Sequence, residues 1–283
     1  MTSFGERLHS AVTRYGQLCV GIDPHEHLLA DWNLDATPAG VREFGLRVVD
    51  AAAGRVAVVK PQVSFFERFG SAGFAALEDV LAAARAAGLL VIADAKRGDI
   101  GTTMDAYAAA WLLPGSPLEA DALTVNPYLG VGALDGAMAL SHEHGKGLFV
   151  LAATSNPDAP SLQTARTADP ESRTVSSAVI GQISVFNSTH TQDKEWASIG
   201  VVIGATVDWN AFDLPEKIEP IAPILAPGFG HQGAELTDLE ALFGVHSPAV
   251  LVSESRGILQ AGPAGVAMAI DKRRALLQEF PSA

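Results

Sequence analysis

The chain has 283 residues, 48% of them apolar, and a formal net charge of −13. That charge argues against nucleic acid and anionic membrane as partners, since both need basic patches, and leaves room for a small anion held by a few cations in a cleft. No apolar run reaches the roughly 18 residues that span a bilayer, residues 1–18 carry charges where a secretory signal would be apolar, and a single cysteine, Cys19, rules out an internal disulfide, so a reducing cytoplasm is the expected location.

In chain order, Phe4, Leu8, Val12 and Tyr15 form an apolar stripe that predicts a helix ahead of the first strand. Short apolar runs then recur at 18–22, 56–59, 89–93, 122–125, 148–153, 199–203, 224–226 and 250–252. Consecutive apolar positions, many of them β-branched, are expected of parallel strands covered on both faces. Helical stripes lie between them: Phe74, Leu77, Leu81 and Ala84; Val175, Val179, Ile183 and Phe186; and, last, Val266, Ile270 and Leu277. A helix is also expected from near Thr102. Residues 156–198, polar and proline-punctuated at their start, read as an insertion after the fifth strand followed by that unit's helix.

Eight strands alternating with helices predict one (β/α)₈ TIM barrel domain over residues 1–283. A doubly wound open sheet is the alternative, but no GxGxxG follows the first strand.

In such a barrel the residues just past each strand line the active face. Those positions hold Asp23, Lys60, Asp94 with Lys96, Asn126, Ser155, Thr206, Gln232 and Arg256. Asp94 and Lys96 stand two apart on an extended chain, so both are expected to point inward with Ala95 outward. Asp99 lies beyond Gly98, in the turn toward the next helix. A lone DxK reads as a strand-end ion pair, with Asp99 capping the helix. Asp23 and Lys60 on the same rim shift the reading to a working site, since clustered charges are costly without a function. At the last two strands, PGFGHQG (with Gly228, Gly230 and Gln232) and SESRG (with Arg256) suit an anion: glycines admit close backbone approach and arginine offers a fork of donors. Phosphate sites in barrels often lie there. Glu254, two residues before Arg256, either pairs with it or points away.

DAKRGDIGTT, with LCVGIDP, VVKPQ, ATSNP, APGFGHQG and SRGI in that order, resembles the orotidine 5′-phosphate decarboxylase family, in its longer bacterial (mycobacterial-type) branch, from about Leu18 to Ile258. The resemblance implies decarboxylation of orotidine 5′-monophosphate to UMP and CO₂ in de novo pyrimidine biosynthesis, without cofactor or metal. It implies Lys96 as proton donor, Asp94 against the substrate carboxylate, Asp23 and Lys60 at the ribose with Lys60 also in the catalytic charge network, Ser155 and Thr206 at the base, and Gln232 with Arg256 at the phosphate, within the loop of Gly228 and Gly230. It further implies a homodimer in which Asp99 and Thr103 reach the partner's site. Met104, Tyr107 and Trp111, at helical spacing, are expected to form the face packed across the two-fold axis. Magnesium-dependent relatives that handle ketogulonate and hexulose phosphates carry an acid where Lys60 stands. A Schiff-base aldolase needs a neutral lysine, and two carboxylates around Lys96 count against it. A non-catalytic phosphometabolite sensor has no need of the Asp–Lys–Asp set. The HxH pairs His25 with His27 and His142 with His144 lack a third ligand in register, so no metal site is expected.

Overall fold

The computed structural model describes residues 2–230 and 233–279. Its eight parallel strands are β1 (Leu18–Ile22), β2 (Val58–Pro61), β3 (Leu90–Arg97), β4 (Ala122–Val125), β5 (Gly147–Ala153), β6 (Ile199–Ile203), β7 (Ile224–Pro227) and β8 (Val250–Glu254), and they close in sequence order into a barrel. Closure through the β1–β8 pairing removes the open-sheet alternative. Three strands run beyond their apolar runs into charged residues, because the neighbouring strand still offers partners: Lys60 pairs in register with Gly21, Arg97 with Val125 and Glu254 with Val20. Lys60, Asp94 and Lys96 are therefore strand residues, held by the sheet itself.

Alternation divides the strand side chains between two cores. Val20, Val59, Val91, Leu123, Val201 and Val252 face outward and pack with the surrounding helices. Cys19, Val58, Ile92, Phe149, Leu225 and Leu251 fill the interior together with Phe4, Leu8 and Val12 of the helix Phe4–Tyr15. That helix begins with a capping box between Ser3 and Glu6, which satisfies its first backbone donors. Its Phe4 meets Phe149 edge-on with ring centroids 6.1 Å apart. A Cβ on Gly147 would lie 2.2 Å from the Phe4 ring, so only glycine at the start of β5 lets the plug seat. Arg7 ties the plug to Asp121, just ahead of β4, at 2.6 Å. The mouth at the strand N-termini is thus filled, which leaves the C-terminal mouth for chemistry.

The helices Gly70–Ala86, Val175–His190 and Gly262–Glu279 carry the predicted stripes. Pro38–Ala52, with Pro38 in its first turn and Thr37 as cap, is a further long helix that the stripe reading did not single out. Between β6 and β7 the alternation breaks: residues 204–223 hold no helix among the described residues. Val207, Phe212 and Ile218 cover the barrel there from irregular chain.

The helix Gly101–Leu112 corrects one expectation. Met104 and Trp111 are buried within their own chain, at 0% and 2% exposure, and only Tyr107 of the three faces out. A helix on a barrel must bury its most apolar stripe against the sheet, which leaves Thr103, Ala106 and Tyr107 outward. No helix among the described residues is long and apolar enough to cross a membrane.

Candidate active site

Lys60 and Asp94 stand one layer above the inward-facing Val58 and Ile92, at the open mouth of the barrel. Lys60 Nζ donates to Asp94 Oδ2 at 2.7 Å, and Lys96 Nζ donates to Asp94 Oδ1 at 2.5 Å. Thr124 of β4 completes the group: its hydroxyl donates to Asp94 Oδ1 at 3.0 Å and accepts the Lys96 backbone N–H at 2.9 Å. One buried carboxylate therefore binds two ammonium groups and a hydroxyl. Burial alone would push the Lys60 pKa down, but the negative charges of Asp94 and Asp23 outweigh it and raise the pKa. Burial alone would raise Asp94, yet Lys60 and Lys96 hold its carboxyl well below the usual range. The two lysines differ in access: the Lys60 side chain is 9% exposed, that of Lys96 44%.

Lys96 does not reach Asp94 by simple alternation along an extended strand. Its φ is +50°, in the left-handed region, and the β3–β4 register shifts between Ala93 and Arg97. A lysine in that conformation is strained by about 1–3 kcal/mol and persists only where its surroundings hold it, as strain at functional sites commonly does. Here the Thr124 hydroxyl and the Asp94 carboxylate supply the restraint.

A cavity of about 270 Å³ opens onto this group, lined by Lys60, Asp94, Lys96, Thr124, Ser155 and Pro227 among others. An adjoining cavity of about 470 Å³ shares Lys96 and extends to Asn126 and Tyr128. A larger groove, about 610 Å³, runs past Gln192, Lys194 and Lys217, ahead of β6 and β7 and away from these charges. Asp23 stands at the end of β1, and its Oδ1 and the Ser255 Oγ are buried without a hydrogen-bond partner among the described residues. A Cβ on Gly21 would lie 3.4 Å from that Asp23 oxygen and 2.7 Å from Ser255 Cβ, so β1 and β8 approach closely at this corner. Neither Thr124 nor Ser255 is among the site residues that the sequence points to. Thr124 had a signal, as the one polar residue in its apolar run, whereas Ser255 had none beside Glu254 and Arg256.

The β7–β8 side is built differently. Gly228 and Gly230 adopt φ of 113° and 71°, which requires glycine in the turn after β7. Gly230 donates its N–H to the Ala234 carbonyl at 2.8 Å, so this amide faces into the loop, not toward an anion. Arg256 opens the short helix Arg256–Leu259 and is half-buried. Burial chiefly lowers the pKa of His25, and the Arg256 charge adds a smaller contribution in the same direction. Glu254 pairs with Arg273 of the last helix at 2.9 Å, not with Arg256. Gln232 lies outside the described residues.

Ser155 joins the cavity wall, but Thr206, just past β6, does not line it, and Thr103 is exposed on its helix. Asp99 Oδ1 accepts the Ile100 N–H at 2.8 Å and makes no ion pair with Lys96 within the chain. Ile100 is the residue capping the following helix, so Asp99 is not its cap. Among the described residues no group of three or more His, Cys, Asp or Glu is arranged to hold a metal ion.

The model of the orotidine 5′-phosphate decarboxylase / HUMPS family matches residues 16–269. A Salinispora tropica orotidine 5′-phosphate decarboxylase is 51% identical over 268 residues, covering 95% of this chain and 94% of its own length. A Corynebacterium glutamicum protein of the same name is 47% identical over 262 residues, covering 92% of each. A solved structure from Streptomyces avermitilis aligns with a TM-score of 0.93 at 45% identity, over 100% of this chain and 97% of that one. The Leishmania donovani OMP decarboxylase structure aligns at 0.76 and 31% identity, over 98% and 99%. The chain belongs to the orotidine 5′-phosphate decarboxylase / HUMPS family.

Proposed function

We propose that the site decarboxylates orotidine 5′-monophosphate to UMP and CO₂, a step of pyrimidine nucleotide synthesis, with Lys96 as proton donor. The observation that carries this reading is Asp94 bound at once by Lys60 and Lys96 at the barrel mouth. Two things favour the decarboxylase over the magnesium-dependent sugar-phosphate enzymes that the sequence also resembles. Relatives near 50% identity carry that name. Lys60 also puts an ammonium 2.7 Å from Asp94, where a magnesium-dependent relative has an acid.

Loss of CO₂ leaves an electron pair on the ring carbon with no neighbouring group to absorb it. A fixed cation beside that carbon stabilises the charge as it develops, and Lys96 then delivers the proton that takes the place of CO₂. Asp94 orients Lys96 and repels the departing carboxylate. Repulsion is the minor effect: two charges about 4 Å apart interact by roughly 4 kcal/mol at an effective dielectric near 20, whereas very slow reactions need on the order of 20 kcal/mol of barrier lowering. The larger share comes from preorganised cations and from binding energy gained at the remote phosphate. Asp23 and Lys60 serve the ribose, Ser155 and Thr206 the base, and Arg256 with Gln232 the phosphate, inside the turn of Gly228 and Gly230.

The same reading makes the enzyme a homodimer, with Asp99 and Thr103 given to the partner's site. Asp99 makes no ion pair with a lysine among the described residues, and Ile100, Tyr128 and Leu129 leave large apolar surface exposed where the neighbouring strands β3 and β4 end. A lone, buried thiol fits a cytoplasmic enzyme. The test is the ultraviolet absorbance of orotidylate, which should fall on adding purified protein, equally with and without EDTA. Absorbance that does not change, or activity abolished by EDTA and restored by magnesium, overturns the proposal.

A further inference from the structure

A carboxylate buried beside an anion site needs a physical reason. Glu254 ends β8, two residues before Arg256, and is 3% exposed. Its strand neighbour Ser253 faces the barrel interior, so Glu254 points outward, beneath the turns that follow β7 and β8. A Cβ on Gly230 would lie 2.8 Å from Glu254 Oε1, and one on Gly257 would lie 2.2 Å from the same oxygen and 3.0 Å from an Arg273 guanidinium nitrogen. Both turns therefore rest directly on the Glu254–Arg273 ion pair, and their glycines are the residues that permit it. The pair bridges β8 to the helix Gly262–Glu279 at 2.9 Å.

We infer that Arg273 is a positioning residue of the phosphate site: it pins and neutralises the Glu254 carboxylate under the two turns that would hold the phosphate. This rests on the phosphate reading of Gly228, Gly230 and Arg256. An unneutralised carboxylate under those turns opposes an anion bound above them, and little water intervenes to screen it. The Glu254 pKa is raised, chiefly by burial and further by Glu235, while the Arg273 charge and hydrogen bond oppose the rise. Arg273 stands on the last helix, on the side of the turns that Glu254 occupies, and its ion pair is with Glu254, so it acts through that carboxylate.

Calorimetric titration of the full chain with UMP, inorganic phosphate and uridine tests this. Arg273→Ala should weaken UMP and phosphate binding about tenfold or more and leave uridine unchanged. Arg273→Lys, which keeps the charge, should stay near wild type. Adding Glu254→Gln to Arg273→Ala should restore UMP binding most of the way, since the opposing charge is gone. Equal losses for UMP and uridine, or a double variant no better than Arg273→Ala, would overturn the inference. Should Arg273→Ala not fold, Glu254→Gln alone decides: unchanged or tighter UMP binding supports the inference, and a tenfold loss overturns it. A wild-type protein that binds UMP and phosphate but leaves orotidylate intact sinks the decarboxylase reading alone, whereas one that binds neither sinks both.

Discussion

The two sides of the barrel mouth are made of different material. On the β2–β4 side, Lys60, Asp94, Lys96 and Thr124 are strand residues locked to one another by bonds of 2.5–3.0 Å. On the β7–β8 side, the turn after β7 is glycine-rich and bonded to itself, and the ion pair that supports it lies behind, between Glu254 and Arg273. The contrast follows the work each side is assigned. Stabilising a charge that exists only in the transition state requires groups already in place, because reorganisation would cost what the interaction gains. Under the proposed reading the other side only has to hold a phosphate remote from the reacting carbon, where binding energy rather than a transition-state charge is at stake.

The largest expected effect tests the rigid side. Lys96→Ala should lower kcat by at least about 10²–10⁴, the usual worth of a general acid, while the protein still folds and binds UMP. A variant retaining more than about a hundredth of wild-type activity would remove Lys96 as the donor. Asp94→Asn should then reveal how much stability resides in the same cluster. Breaking a buried pair from one side typically costs about 3–5 kcal/mol, and Lys60 would lose its closest anion, so chemical denaturation should show a loss of that order. The pH dependence has a sign on each flank. Asp94 is depressed, so its contribution is complete above the ordinary carboxylate range and fades as pH falls toward its lowered value. Lys60 is raised, so its contribution is complete below the ordinary lysine value and fades only as pH climbs past it. The acid-side slope of stability should flatten in Asp94→Asn; an unchanged slope would mean that other carboxylates govern acid unfolding.

Arg256→Ala tests the loop side. Charge-assisted hydrogen bonds contribute about 1.5–3 kcal/mol, so kcat/KM for orotidylate should drop roughly ten- to a hundredfold, with the phosphate-free nucleoside barely affected. Equal losses on both would show that Arg256 supports the fold or the base instead. The smallest signal is a recovery. Mixed and refolded, the inactive variants Lys96→Ala and Asp99→Ala should form hybrid dimers in which one site is whole, returning up to about a quarter of wild-type activity on random assortment. Demonstrated exchange without recovery would place Asp99 in its own chain's site and break the shared-site model.

Much of this was legible in the chain. Eight apolar runs gave the strands, because a parallel strand buried on both faces leaves an unbroken apolar signature, and the charges after the first three marked the mouth. The helix-less stretch 204–223 was not legible, since scattered apolar residues can cover a barrel without periodicity. The dimer-facing stripe was misjudged for a related reason: periodicity reports that Met104, Tyr107 and Trp111 lie near one face of a helix, not whether the barrel or a partner covers it.

The sequence by itself determined the barrel, the family and the presence of Asp94, Lys96 and Lys60 at its mouth, because strand burial and local spacing are properties of neighbouring residues. Only the tertiary structure decided how those groups meet. The left-handed φ of Lys96, the Thr124 hydroxyl that holds it, and the Glu254–Arg273 pair beneath the β7 and β8 turns all depend on residues 19 to 28 positions apart. Nothing in local pattern encodes such contacts; closing the barrel and packing the last helix against it creates them.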